Sequence, residues 1–141
     1  MPTRRPANEL PWKMLLTLSS PLLLIGGLWI YSSHARSTYL PVVISASSRL
    51  HDQFARGDDM GIYTEADTAF RSAATSAIMT KFLARARRKL GTCRYSESNW
   101  NAVSTSEGTF VTIKYDLRCA NDSGEETLTW RIVKGSALLV S

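Results

Sequence analysis

Residues 109–133, TFVTIKYDLRCANDSGEETLTWRIV, alternate apolar and polar side chains in two runs separated by a turn sequence. In the first run Val111, Ile113, Tyr115, Leu117 and Cys119 share one face of an extended chain, opposite Thr112, Lys114, Asp116 and Arg118. In the second, Leu128, Trp130 and Ile132 alternate with Thr129, Arg131 and Val133. A period of two marks a strand with one face in a core and one in water. Asn121-Asp122-Ser123-Gly124 has turn chemistry, so the runs are expected to be antiparallel neighbours. It also spells an acceptor sequon for N-glycosylation, relevant only in a host that glycosylates exported proteins. Extending the pattern outward gives three to four strands at about 92–103, 109–120, 125–133 and 137–140, with Lys134-Gly135-Ser136 turning the chain into the last.

The two cysteines test this topology. Paired residues in an antiparallel hairpin have numbers that sum to a constant, and 93 plus 119 puts the midpoint at Ser106, inside the expected turn Thr105–Gly108. A loop of about three or five residues would then set Cys93 across from Cys119. A disulfide is expected, and closing a loop of about 27 residues would stabilise the fold by about 3.5 kcal/mol in the chain-entropy model. Two cysteines with His34 and His51 far away make neither a metal-ligand spacing nor a Cys-His nucleophile, and no cofactor motif is present.

Upstream the period changes to that of helices. Pro41 suits a first helical turn. Val43, Ser47, Leu50 and Phe54 then form one stripe, and Gly57 supplies a stop. His51 flanks the stripe, as a hydrogen-bonded, partly buried residue would. Asp58-Asp59 reads as an N-cap pair for a short turn, and Glu65 to Ala73 holds a second. Thr75 or Ser76 caps a helix over about 77–90 that Gly91 ends. On it Ile78, Met79, Phe82, Leu83, Ala86 and Leu90 gather within about 140° of arc, the apolar side of an amphipathic helix. Lys81, Arg85 and Arg88 occupy another sector, and Lys89 lies at the edge of the apolar arc. These four cations form a candidate contact for an acidic partner or anionic lipid.

From Met14 to Ser33 no residue is charged, and eighteen helical positions span about 27 Å, close to a bilayer's hydrocarbon core. Trp12 at one end and Trp29 with Tyr31 at the other are suited to the two water-lipid interfaces. The expected organisation is a cytoplasmic tail at 1–13, a transmembrane helix at 14–33, a linker at 34–40 and an extracytoplasmic domain at 41–141. The competing reading is a cleaved secretory signal ending near Ala35, although the apolar run is longer than a signal core. Arg4, Arg5 and Lys13 hold the N-terminus inside in either case, which places the domain in the periplasm or outside the cell.

The formal charge of +5 divides into +2 before residue 14, from three basic and one acidic side chain, and +3 after it, from 14 basic and 11 acidic. That mild excess, without a recognition motif, argues against nucleic acid as a partner. The 141 residues leave room for one modest core beyond the anchor.

Over about residues 50–141, FARGDDMGIYTEADTAFRSA, FLARARRKLG, GTFVTIKYDLRCAN and ETLTWRIVKG resemble an uncharacterised bacterial family of small exported proteins with the cystatin-like cone of nuclear transport factor 2. The resemblance implies an α+β fold, helices packed on a curved antiparallel sheet, and export; it carries no catalytic residue. Such a cone usually ends in a strand with an aromatic, whereas Ala137-Leu138-Leu139-Val140 has none, which implies looser packing there. Cones of this kind often dimerise through the sheet, so the resemblance adds a homodimer through that face to the candidate partners. Related cones include isomerases, for which Tyr63, Asp67, Tyr115 and Asp116 are the candidates, but strand parity puts Tyr115 and Asp116 on opposite faces.

The reading is therefore a membrane-anchored, non-catalytic interaction domain of an envelope complex at the cytoplasmic membrane, touching another envelope protein through the sheet or the basic helix. A periplasmic small-ligand carrier is the alternative, favoured by an apolar pocket of about 300 Å³ or more with convergent polar groups. An isomerase or hydrolase ranks third.

Overall fold

A computed structural model describes the backbone of residues 20–141 and the side chains from residue 36 onward. The chain divides into two compact units at His34 and Ala35, and the core, the sheet and the disulfide all belong to the second. This unit is α+β. Its helices are α1 (Ser20–Arg56, which begins in the first unit), α2 (Asp59–Glu65), α3 (Thr68–Ala73) and α4 (Ser76–Leu90). They precede four strands, β1 (Cys93–Thr105), β2 (Gly108–Cys119), β3 (Ser123–Val133) and β4 (Ser136–Leu139). The strands pair antiparallel in the order β1-β2-β3-β4, a plain meander.

Among the described residues no helix is long and apolar enough to cross a membrane. Of the span expected at 14–33, residues 14–19 and all the side chains lie outside the described residues, as do Trp12 and the rings of Trp29 and Tyr31.

The linker expected at 34–40 is helical, and Pro41 sits inside α1 rather than at its start. An interior proline removes one helical hydrogen bond and costs about 3 kcal/mol. Burial on both sides of it offsets that cost: Leu40 and Val43 are core residues, with Tyr39 and Val42 packed against them. The expected stripe of α1 holds, since Val43 and Ser47 are fully buried and Leu50 and Phe54 pack on the core. Gly57 ends the helix in the left-handed region at φ 77°.

The sheet follows the period-two reading. Val111, Ile113, Tyr115, Leu128 and Trp130 are buried, while Lys114, Asp116 and Arg118 are exposed on the other face. Cys93 pairs with Cys119 and the two form a disulfide. The route to that register differs from the one expected. The β1–β2 turn has two residues, Ser106 and Glu107, closed by the pair Thr105 and Gly108, and one extra residue in β1 between Glu97 and Asn99 shifts the register. This bulge at Ser98 restores the even sum that an odd loop would have given. It also keeps one face inward: Tyr95 lies on the core side before it, and Trp100 and Ala102 after it.

β3 and β4 are joined by Lys134 and Gly135, both at positive φ (49° and 79°), the backbone of a two-residue hairpin turn of type I′. β4 packs firmly without an aromatic of its own. Ala137 and Leu139 are buried, and Trp130, paired with Leu139 across the ladder, supplies the bulk. The amide of Asp67 donates to the Leu139 carbonyl at 2.8 Å, tying the start of α3 to that strand.

Candidate functional site

Two surfaces of the second unit are left incomplete by its packing, and both involve α4. Thr75 accepts from the Ile78 amide at its start, and Gly91, at φ 74°, donates to the Arg87 carbonyl at its end, so the helix boundaries are those expected. Its apolar arc is only partly covered, with Leu83 packed on the core. No residue of α4 is buried, and Ile78 and Phe82 are 60% and 64% exposed. The reason lies in its neighbours. Its main helical contact is α2, which has 7 residues against 15 in α4 and cannot cover the whole arc.

Of the five cations of α4, Arg87 alone turns inward. Its guanidinium makes a bidentate pair with Asp59, 2.8 and 2.9 Å, donates to the Phe54 carbonyl at 2.8 Å and lies over the Phe54 ring. It joins the end of α1, the start of α2 and the last turns of α4. The bond to Asp59 raises the Arg87 pKa further above its ordinary value, with burial opposing. Asp59 is thus no cap: Asp58 alone caps α2, accepting from the Gly61 amide at 3.0 Å. Lys81, Arg85, Arg88 and Lys89 are exposed and take part in no ion pair among the described residues.

The second surface is a cleft of about 370 Å³ between α1, the inner side of α4 and the sheet. Leu50 and Phe54 line it from α1, Met79 and Leu83 from α4, and Leu117 and Leu128 from the sheet. At one end His51 Nε2 lies 2.6 Å from a Glu126 carboxylate oxygen. The imidazole stacks on the Tyr95 ring, with centroids 3.5 Å apart and planes 10° from parallel, and meets the edge of Tyr115 at 5.1 Å. The His51 side chain is only 11% exposed and that of Glu126 27%. Burial pushes the Tyr95 hydroxyl above its ordinary pKa, and the Glu126 charge adds to the shift. Burial also raises Tyr115; the Ser47 hydroxyl opposes this, and Glu97 and Glu126 reinforce it. Negative charge is therefore felt at this end of the cleft.

The residues weighed for acid-base work do not assemble. The Tyr63 hydroxyl donates to the carbonyls of Arg71 and Ala74. Asp67 caps α3 through the Ala69 amide at 2.9 Å and pairs with Arg131. Burial pushes the Asp67 carboxyl up, but the Ala69 amide, Arg131 and the Thr68 hydroxyl outweigh it and hold the group below its ordinary pKa. Tyr115 is buried and Asp116 exposed on the opposite face. What the fold brings together instead is His51, Glu126 and Tyr95. Glu126 carried a signal, because it shares the inward parity of Leu128 and Trp130, where an acid is out of place.

No protein-family model matches the chain, and no curated protein matches it.

Proposed function

We propose that the chain is a membrane-anchored, extracytoplasmic interaction subunit without catalytic activity, and that α4 is its contact surface for another envelope protein. The observation that carries this reading is the uncovered arc of α4. Ile78 and Phe82 are largely exposed on the same helix as Lys81, Arg85, Arg88 and Lys89, none of which is in an ion pair among the described residues. An exposed apolar patch rimmed by charge is the anatomy of a protein contact. The partner that fits it presents an apolar knob or groove flanked by Asp and Glu, which would steer its approach through those cations. The outer face of the sheet is a poorer contact, and a homodimer through it correspondingly less favoured, because Lys114, Asp116 and Arg118 line it with exposed charge.

The uncharged run at 14–33 with basic residues before it supports the anchor and its orientation in the cytoplasmic membrane, N-terminus inside. The disulfide Cys93–Cys119 supports an oxidising compartment for the domain. Helices followed by a four-stranded meander support the kinship with small exported cone proteins.

A photo-crosslinking side chain placed at Phe82 in the full chain, expressed in its native host, tests the proposal. One protein adduct of constant mass is expected from Phe82, none from the same probe at Lys114, and loss of the adduct in K81E/R85E. Absence of a protein adduct at Phe82, or equal adducts at both positions, refutes it.

A further inference from the structure

The cleft behind α4 shares Phe82 with the helix's outer surface and is otherwise lined by other residues. Its volume of about 370 Å³ lies in the range of small-molecule sites, and its walls are mainly aliphatic and aromatic. Its charge is one-sided. Glu126 turns its carboxylate to it, Glu125 lying on the opposite face of the sheet beside Asp116, and none of the described residues lining it is lysine or arginine. Glu126 spends one oxygen on His51, and the other makes no hydrogen bond or ion pair among the described residues. Phe54, Phe70, Phe82 and Tyr95 place aromatic rings around the same space. A carboxylate at the end of a ring-lined apolar cleft favours a ligand cation twice, through the ion pair and through the ring faces. It penalises an anion, which would be desolvated beside like charge.

We propose that this cleft binds a small amphipathic amine, with the apolar body between α1 and α4 and the protonated nitrogen at Glu126. His51, stacked on Tyr95 and bonded to Glu126, positions the carboxylate that receives the nitrogen.

The test compares two isosteres of opposite charge, 2-(1-naphthyl)ethylamine and 3-(1-naphthyl)propionate. Each is titrated calorimetrically into the full chain in neutral-lipid nanodiscs, with empty discs subtracted. The amine is expected to bind at least tenfold more tightly than the acid. E126Q should erase most of that preference. E125Q, which removes a neighbouring charge on the opposite face of the sheet, should leave it within about twofold. L83W, which fills the cleft, should abolish amine binding while the far-ultraviolet spectrum stays native. Equal or tighter binding of the acid, no binding of either probe, or amine binding indifferent to L83W overturns the proposal. The Phe82 crosslink is expected to survive E126Q, so failure of the ligand site and failure of the partner surface are read apart.

Discussion

Replacing Arg87 by alanine should detach α4 without unfolding the sheet. Arg87 is the strongest polar tie between that helix and the rest of the unit, with two bonds to Asp59 and one to the Phe54 carbonyl. Its side chain is 25% exposed and that of Asp59 11%. Removing one partner of a buried pair costs about 3–5 kcal/mol, because the other charge is left without compensation. Partial exposure places this pair at the low end, about 3 kcal/mol, roughly a hundredfold in an opening equilibrium.

That cost should fall on a local opening, since α4 buries none of its own residues and its main helical contact is α2. Native-state hydrogen exchange read by mass spectrometry checks it. Amides of residues 80–90 should exchange about 100-fold faster in R87A, and amides of β2 and β3 should change by less than about threefold. R87K, which keeps the charge but loses the fork, should fall between. D59A/R87A should recover part of the loss, with a coupling energy of about 1–3 kcal/mol. Acceleration of α4 by less than about fivefold would refute the argument, as would equal acceleration of the sheet, which would make α4 part of the global core.

C93S/C119S should lower stability by up to about 3.5 kcal/mol in urea unfolding under oxidising conditions, and the difference should vanish when the wild type is reduced. Asp67, held below its ordinary pKa of 3.8, contributes stability above that pH and loses it as pH falls through the folded value. The stability gap between wild type and D67N should therefore close in urea titrations taken from pH 6 down to pH 2. Tyr95 and Tyr115 lie above their ordinary 10.0, so the stability tied to their neutral forms is complete below that pH and fades as pH rises through the folded values. Y95F should lose less stability than wild type between pH 10 and pH 12, and two phenolate transitions should lag in an ultraviolet titration. G135A should cost about 1 kcal/mol from strain alone, since φ is 79° and no atom would meet the new methyl, while G135N should be nearly neutral by thermal melt.

Strand faces were legible because parity is a local property: Val111 to Cys119 and Leu128 to Ile132 declare their inner side whatever they pack on. The bulge was legible in principle as well. Tyr95 is odd and Trp100 and Ala102 are even, so all three face the core only if one residue is inserted between them. The cysteine sum alone could not decide this, since an odd loop satisfies it equally well. Pro41 misled for the opposite reason: its local preference for a first turn was overridden by the burial of Leu40 and Val43, a tertiary fact. The arc of α4 identified the helix's apolar side but not its cover, which depends on α2 being short. His51 and Glu126 are 75 residues apart, and no spacing rule joins them; only the anomaly of an acid at an inward position of β3 pointed there. The two places where local pattern and final packing disagree, an apolar arc left wet and a carboxylate turned toward the core, are the two places to which the proposed partner and ligand are assigned. A sequence selected for folding alone would have had reason to remove both, so each is best explained by what it contacts.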